Sequence, residues 1–206
     1  NSWPTAPHDA IIFGLKELPD DGTPLAHRHI MSGHAFKGQT DGPALLARFK
    51  AGGGALYDLE YLTDPNGKRV AAFGYWAGYA GAAMGLKVWA AQQAGDLPGP
   101  ASVDPYPSKD ALLADLVSDL SAGLANGAEK PTSIIIGALG RVGSGAGDLL
   151  TAMGLEVTRW DMAQTTKGGP FPEILDHNLF VNCVLAMPGI PVFVPKSAIT
   201  APRRLS

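Results

Sequence analysis

Residues 133–143 have the sequence Ser-Ile-Ile-Ile-Gly-Ala-Leu-Gly-Arg-Val-Gly and indicate the class of fold. The three isoleucines favour a short buried strand. The glycines that follow favour a sharp turn, because glycine tolerates backbone conformations that other residues avoid. A helical pattern then runs to Gly154, and residues 156–160 have the pattern of a second strand. A strand, a helix and a further strand joined in this way predict a parallel sheet in an α/β fold.

The glycines of this turn, Gly137, Gly140 and Gly143, have a spacing that suits a dinucleotide pyrophosphate. Glycine lets the backbone approach the phosphates, and the start of the helix offers N–H groups and a positive dipole end. Asp161 ends the second strand, where an acid accepts hydrogen bonds from ribose hydroxyls and repels the extra phosphate of NADP. These residues predict NAD as the cofactor. Arg141 either contacts the pyrophosphate or is a solvated loop arginine.

The remaining segments alternate between strand and helix patterns. Strands are predicted at 10–15, 29–36 and 179–185, helices at 41–51, 75–93 and directly after Ser108, and a proline-rich linker at 97–107. Asn66-Gly67, between the apolar runs 55–62 and 68–73, predicts a β-hairpin.

The composition is that of a globular protein, with 46% hydrophobic and 17% charged residues. The net charge is -3 and no basic block exists, so a nucleic-acid partner is not expected. Cys183 is the only cysteine, which rules out an internal disulfide and fits a reduced compartment. The uncharged run 70–86 is glycine-rich and shorter than the about 20 apolar residues of a membrane span. We therefore expect a buried helix there and no membrane contact.

Several polar side chains have both a structural and a functional interpretation when they are taken one at a time. Lys16 beside Glu17 has the pattern of a surface ion pair. Glu60 and Arg69 face each other across the predicted hairpin and suit a cross-strand ion pair. No metal site is predicted, because neither a cysteine nor an acid accompanies the three neighbouring histidines at metal spacing: His27, His29 and His34.

Seven segments, taken together and in order, resemble one known family. They are Gly-Leu-Lys-Glu at 14–17, Gly-His-Ala-Phe-Lys-Gly-Gln at 33–39, Leu-Tyr-Asp-Leu-Glu at 56–60, Arg-Val-Ala-Ala-Phe-Gly at 69–74, Ile-Gly-Ala-Leu-Gly-Arg-Val-Gly at 136–143, Trp-Asp at 160–161 and Gly-Gly-Pro-Phe at 168–171. The family is that of the fungal-type saccharopine dehydrogenases, which are NAD-dependent and lysine-forming and are related in fold to alanine dehydrogenase. The resemblance implies two Rossmann-like domains with parallel sheets, the second incomplete in this chain, and an active site in the cleft between them.

The resemblance also implies a division of the chain and a reaction. Residues 1–100 would be the catalytic and substrate domain, 101–130 a linker with a connecting helix, and 131–206 the NAD-binding domain. The implied enzyme converts saccharopine, NAD and water to lysine, 2-oxoglutarate and NADH, the last step of the aminoadipate route to lysine. We expect a monomer in the cytoplasm, with a peroxisomal location left open. Because the chain begins at Asn1 without methionine, we also expect a piece of a longer protein, with a substrate-binding arginine preceding it.

Residue roles follow from the resemblance, position by position. Lys16 matches the catalytic base and His34 the second acid–base group. Matches to substrate-binding or charge-balancing residues are Lys37, Gln39, Glu60, Arg69 and Phe73. Matches to cofactor-binding residues are Lys68, Gly137, Gly140, Arg141, Gly143, Asp161 and Thr165. Val142 stands where some members have a cysteine, so their pairing with the Cys183 position cannot form here.

Two other functions stay open at this stage. One is another NAD-dependent amino-acid dehydrogenase of the alanine dehydrogenase-like group. The other is a nucleotide-binding module without catalytic activity that has kept the fold.

Overall fold

The structure is a computed structural model that describes residues 3–15, 18–36, 38, 40–184, 189 and 191–199. The chain forms two compact units, which meet in the sequence between Ala72 and Phe73. The predicted division of the whole protein into a catalytic domain, a linker and an NAD-binding domain stays a prediction. Within the described residues, no helix is at once long enough and apolar enough to span a membrane.

The first unit is built on a three-stranded sheet with the order β1-β2-β3. The strands are β1 (Ile11–Phe13), β2 (Arg28–Met31) and β3 (Ala55–Asp58), and all pairs are parallel. Helix α1 (Gly42–Gly52) connects β2 to β3, as a parallel connection requires. The helix ends at Gly53, whose φ of 73° is a conformation that glycine adopts without strain. The predicted α/β class is therefore confirmed for this unit.

The core of the first unit lies between β2 and α1, and it contains a buried histidine. His29 is 1% exposed, and its ring makes edge contacts with Trp3 at 5.2 Å and Phe49 at 5.3 Å between centroids. Burial lowers the pKa of His29, with the charges of His27 and Arg48 acting in the same direction. A neutral imidazole therefore packs here as an aromatic core residue.

The hairpin predicted between residues 55–62 and 68–73 forms only in part: the chain reverses at Asn66-Gly67, but the two runs are not continuous paired strands. Leu59–Tyr61 forms a 3-10 helix in place of a continued strand, and the only antiparallel pairing described here is a single bridge between Thr63 and Arg69. The Asp58 side chain accepts a hydrogen bond from the backbone N–H of Glu60 at 3.0 Å and so closes a tight turn. Such local side-chain bonds compete with the strand ladder.

The second unit is an α/β structure built on a three-stranded sheet with the order β5-β4-β6. In chain order its elements are α2 (Gly74–Ala94), α3 (Lys109–Leu124), β4 (Ser133–Ile136), α4 (Arg141–Ala152), β5 (Val157–Trp160), α5 (Met162–Thr165) and β6 (Leu179–Asn182). Both neighbours of β4 pair with it in parallel, and every residue of β4 is buried. The predicted parallel sheet is confirmed. Strand β6 is shorter than predicted, and Cys183 follows it with its thiol half-buried.

Helices α2 and α4 approach each other so closely that their backbones touch. A Cβ placed on Gly78 would lie 1.8 Å from the carbonyl oxygen of Val142. A Cβ placed on Gly145 would lie 1.9 Å from the carbonyl oxygen of Tyr75. The glycine-rich run therefore forms a buried helix that admits another backbone, as the sequence predicts.

Helix α3 is held against α2 by a half-buried ionic cluster. The ammonium of Lys87 donates to Asp115 at 2.6 Å and to Asp119 at 2.5 Å, and Tyr106 also donates to Asp115. Burial opposes the charge on Lys87, but the hydrogen bonds to the two carboxylates outweigh it and raise the pKa of Lys87. The cluster braces α2, which in turn supports the start of α4.

Candidate functional site

The residues predicted to be functional fall into three groups in the structure. Three of them lie outside the described residues: Lys16, Lys37 and Gln39. The first unit contains His34, Glu60, Lys68 and Arg69. The second unit contains Phe73, Gly137, Gly140, Arg141, Gly143, Asp161 and Thr165.

An imidazole and a buried carboxylate form the centre of the candidate site in the first unit. His34 Nδ1 lies 3.0 Å from Glu60 Oε1, and the side chains are 32% and 4% exposed. An ionised carboxylate only accepts hydrogen bonds, so the proton of this contact belongs to Nδ1. In the neutral ring, Nε2 is then the nitrogen that can accept a proton. This arrangement fixes the tautomer that acid–base chemistry needs.

Arg69 supplies a positive charge next to the same carboxylate oxygen. Its Nη2 atom lies 3.8 Å from Glu60 Oε1, and its side chain is 42% exposed. A buried carboxylate is stable only when it is paired or hydrogen-bonded. The first unit therefore brings His34, Glu60 and Arg69 together around one oxygen atom.

The sequence pattern did not identify Asp58, although its side chain contacts both the loop that contains Gly33 and the turn that contains Glu60. Its Oδ1 atom accepts the backbone N–H of Gly33 at 3.2 Å and that of Glu60 at 3.0 Å. The signal that could have found it is an aspartate at a strand end two residues before a buried glutamate, because aspartate often bonds the backbone two residues on.

In the second unit, the protein's own packing explains two of the three glycines of the turn. Gly137 has a φ of 82°, and a Cβ there would lie 2.8 Å from Val184 Cγ1. A Cβ on Gly143 would lie 2.2 Å from the Gly137 carbonyl oxygen. At Gly140 a Cβ would meet only that same oxygen, at 3.4 Å, and the φ is -74°. The protein's own packing therefore does not require glycine at 140, and the turn is open on this side at the start of α4, where Arg141 is the first residue.

The carboxylate of Asp161 is tied to this turn. Its Oδ2 accepts the Leu139 N–H and its Oδ1 accepts the Met162 N–H, both at 2.9 Å. These two hydrogen bonds lower the pKa of Asp161, so the group is ionised at neutral pH. A carboxylate has about four acceptor positions, so capacity remains for the hydroxyls of a ribose.

For three further predicted residues, the structure gives contacts and exposure that do not indicate a particular ligand. The hydroxyl of Thr165 donates to the carbonyl oxygen of Asp161 at 3.1 Å. Phe73 precedes α2, and the residue is 54% exposed. The backbone N–H of Lys68 donates to Asp64 at 2.9 Å within the turn. Contacts of these side chains with a substrate or cofactor stay predictions.

The described residues contain no cluster of histidine, cysteine and acidic side chains that could hold a metal ion. A parallel sheet in which a glycine turn opens a helix, with an acid at the end of the next strand, defines the dinucleotide-binding class of α/β proteins. No family model matches the chain.

Curated relatives identify the family within this class. The chain is 48% identical over 94% of its length to the saccharopine dehydrogenase (NAD+, L-lysine-forming) of Yarrowia lipolytica. It is 45% identical over 98% to the enzyme of that name from Candida albicans, and 46% identical over its full length to that from Emericella nidulans. The chain belongs to the saccharopine dehydrogenase family. It spans about half the length of these relatives, 53%, 57% and 56% respectively.

The comparisons confirm the predicted family. The cofactor in the names of these relatives, NAD+, is also the predicted one. The relatives do not favour the alternative of another amino-acid dehydrogenase.

Proposed function

We propose that the whole protein oxidises saccharopine with NAD+ and water to give L-lysine and 2-oxoglutarate. The observation that carries this proposal is the 45% to 48% identity to lysine-forming saccharopine dehydrogenases along nearly the entire chain. The His34–Glu60 pair and the glycine turn followed by Asp161 support it, because the reaction needs a proton-transferring group and a dinucleotide site.

The residues of the second unit suit NAD+ rather than NADP+. Gly137, Gly140 and Gly143 would admit the pyrophosphate, with Arg141 beside it, and Asp161 would accept the ribose hydroxyls. An ionised carboxylate there would repel a 2′-phosphate. NAD+ bound there would supply the acceptor for the hydride that leaves the carbon next to the substrate's secondary amine. Lys68 and Thr165 complete the proposed contacts.

Proton transfer falls to Lys16 and His34. Lys16 takes the proton of the secondary amine, and His34 exchanges protons with the water that adds to the resulting imine and with the departing amine. Glu60 holds Nδ1 of the imidazole, so that Nε2 is the atom that transfers the proton. Glu60 and Arg69 also balance the charge around the amine, while Lys37, Gln39 and Phe73 bind the remaining substrate groups.

We propose that the protein is a monomer and that it is located in the cytoplasm. The half-buried thiol of Cys183, whose pKa is raised by burial, suits a reducing compartment. Its proposed partners are small molecules: saccharopine in one direction, lysine and 2-oxoglutarate in the other.

The activity can be tested by following absorbance at 340 nm with the full-length protein. We expect NADH to form from saccharopine and NAD+, and no NADH from alanine. The reverse direction, with lysine, 2-oxoglutarate and NADH, serves as an internal check. NADH formation from alanine alone would establish the other amino-acid dehydrogenase, and no NADH from either amino acid would leave a nucleotide-binding module.

The choice of cofactor can be tested at Asp161. Asp161→Asn keeps an oxygen that can accept the Leu139 N–H but removes the negative charge. We expect NADH to bind about 10-fold more weakly, since a hydrogen bond to a charged group contributes about 1.5 kcal/mol or more. We also expect the preference for NADH over NADPH to shrink. Fluorescence titration with both cofactors measures the two constants.

A matched control for this test is Asp110→Asn, at an exposed carboxylate in the first turn of α3. We expect it to leave both binding constants unchanged. Unaltered NADH affinity in Asp161→Asn would remove Asp161 from the proposed site.

A further inference from the structure

One carboxylate, that of Asp58, joins the two loops that present the acid–base cluster of the first unit. It stands at the end of β3, caps the 3-10 helix Leu59–Tyr61 and accepts a hydrogen bond from the N–H of Glu60. The same Oδ1 atom bonds across to the N–H of Gly33, in the loop that follows β2. Through these two hydrogen bonds, Asp58 holds both Gly33, the residue directly before His34, and Glu60.

The backbone at His34 is in a conformation that needs such an anchor. His34 has a φ of 52°, the only positive φ of a non-glycine residue among those described. Residues other than glycine adopt this region at a cost, and they persist there when surrounding contacts hold them. The hydrogen bond from the Gly33 N–H to Asp58 fixes the peptide unit that joins Ser32 to Gly33, one unit before this strained residue.

The loop at Gly33 also packs so closely against β3 that a shift of one would displace the other. A Cβ on Gly33 would lie 2.9 Å from Leu56 Cδ2 and 3.5 Å from Asp58 Oδ2, so the loop rests directly on β3. The Oδ2 atom is buried and accepts no hydrogen bond from the described residues.

We infer that Asp58 is a positioning residue for the proposed acid–base chemistry. By holding both the loop that contains Gly33 and the 3-10 helix that contains Glu60, Asp58 sets the contact between His34 Nδ1 and Glu60 Oε1. The inference rests on the proposed function, because it assumes that His34 transfers protons. Asp58 acts through these two residues and touches no substrate.

The inference predicts a loss of turnover when Asp58 is changed. In the full-length protein, Asp58→Ala should lower kcat by roughly 10- to 100-fold, because a displacement of about 1 Å can cost about 100-fold in rate. The KM for NAD+ should stay within about 2-fold, and Asp58→Asn should recover most of the activity, since its amide oxygen still accepts both N–H groups. Should Asp58→Ala not fold, Asp58→Ser takes its place, with one of the two hydrogen bonds lost.

Asp21→Ala is a matched control for a general loss of rigidity. Asp21 Oδ1 likewise receives hydrogen bonds from two segments of the first unit, the Thr23 N–H at 2.9 Å and Arg48 Nη2 at 3.0 Å. We expect its kcat to be unchanged. Equal losses of kcat in Asp21→Ala and Asp58→Ala would show that Asp58 acts only through stability, and would overturn the inference.

A double-mutant cycle separates this inference from the proposed function. In a His34→Asn background, Asp58→Ala should lower kcat no further, because the group that Asp58 positions is already absent. Full kcat in Asp58→Ala, together with a strong loss in His34→Asn, would overturn the positioning role alone. Full kcat in His34→Asn would overturn the acid–base role of His34, and this inference with it.

Discussion

Replacing Gly78 with alanine is expected to destabilise the second unit by about 3 kcal/mol or more. The added Cβ would lie 1.8 Å from the carbonyl oxygen of Val142, 2.6 Å from its carbon and 3.1 Å from the nitrogen of Ala146. These are backbone atoms of α4, which cannot move aside as a flexible side chain would. The two helices must separate, and the contact at Gly145 separates with them.

Gly81→Ala on the same helix is the matched control. A Cβ at Gly81 would meet nothing within 4 Å, and the residue is exposed. Alanine should therefore stabilise α2 by up to about 1 kcal/mol through helix propensity. Urea unfolding of both variants, followed by circular dichroism, gives the two free energies. Similar stabilities for Gly78→Ala and Gly81→Ala would contradict the close packing of α2 on α4.

The sequence predicts the second unit well because its signals are local. The isoleucines of β4, the glycine turn and Asp161 occupy one continuous strand–turn–helix–strand segment, whose geometry depends on few distant contacts. The glycine-rich run of α2 also revealed that another backbone approaches it. What the sequence does not give is the partner of that run, because α4 lies far along the chain and only the fold brings Gly145 against Tyr75.

The first unit was harder to predict because side chains override its strand pattern. Residues 55–62 are apolar enough for one long strand, yet the Asp58 side chain turns the chain into a 3-10 helix after four residues. Strand β2 likewise ends at Met31, where residues to 36 were expected to continue it. Apolar patterns report burial, but they do not report the local hydrogen bonds that end a strand.

In the candidate site, too, local features could be predicted from the sequence, whereas contacts between distant segments could not. Asp161 could be placed from its position after β5, since the function of an acid there is tied to the strand itself. Glu60 and Arg69 could be paired across a turn, although the predicted hairpin forms only in part. Their contact with His34 could not be predicted, because it joins loops after two different strands, and only the resemblance to a family pointed to His34.

Lys16→Met and His34→Asn are each expected to lower kcat of the full-length protein by about 10²- to 10⁴-fold, the usual contribution of one acid–base group. Asparagine suits position 34 because it tolerates a positive φ better than most residues, and φ is 52° there. The backbone is thus preserved while the imidazole is removed. Stopped-flow absorbance at 340 nm with saccharopine and NAD+ measures the rate, and fluorescence titration checks that NADH affinity changes by less than about 3-fold, since uniform binding is not altered.

The double variant distinguishes a shared proton-transfer sequence from two independent effects. When two groups act in one sequence of proton transfers, removing the second adds little to the loss caused by the first, so the double variant should be about as slow as the slower single variant. Fully multiplied losses would mean that Lys16 and His34 contribute separately, one of them through binding. Val157→Ala, in the sheet of the second unit, is a control that should leave kcat unchanged. A normal rate in either single variant would remove that residue from the proposed chemistry, whereas the role of the other residue would still stand on its own measurement.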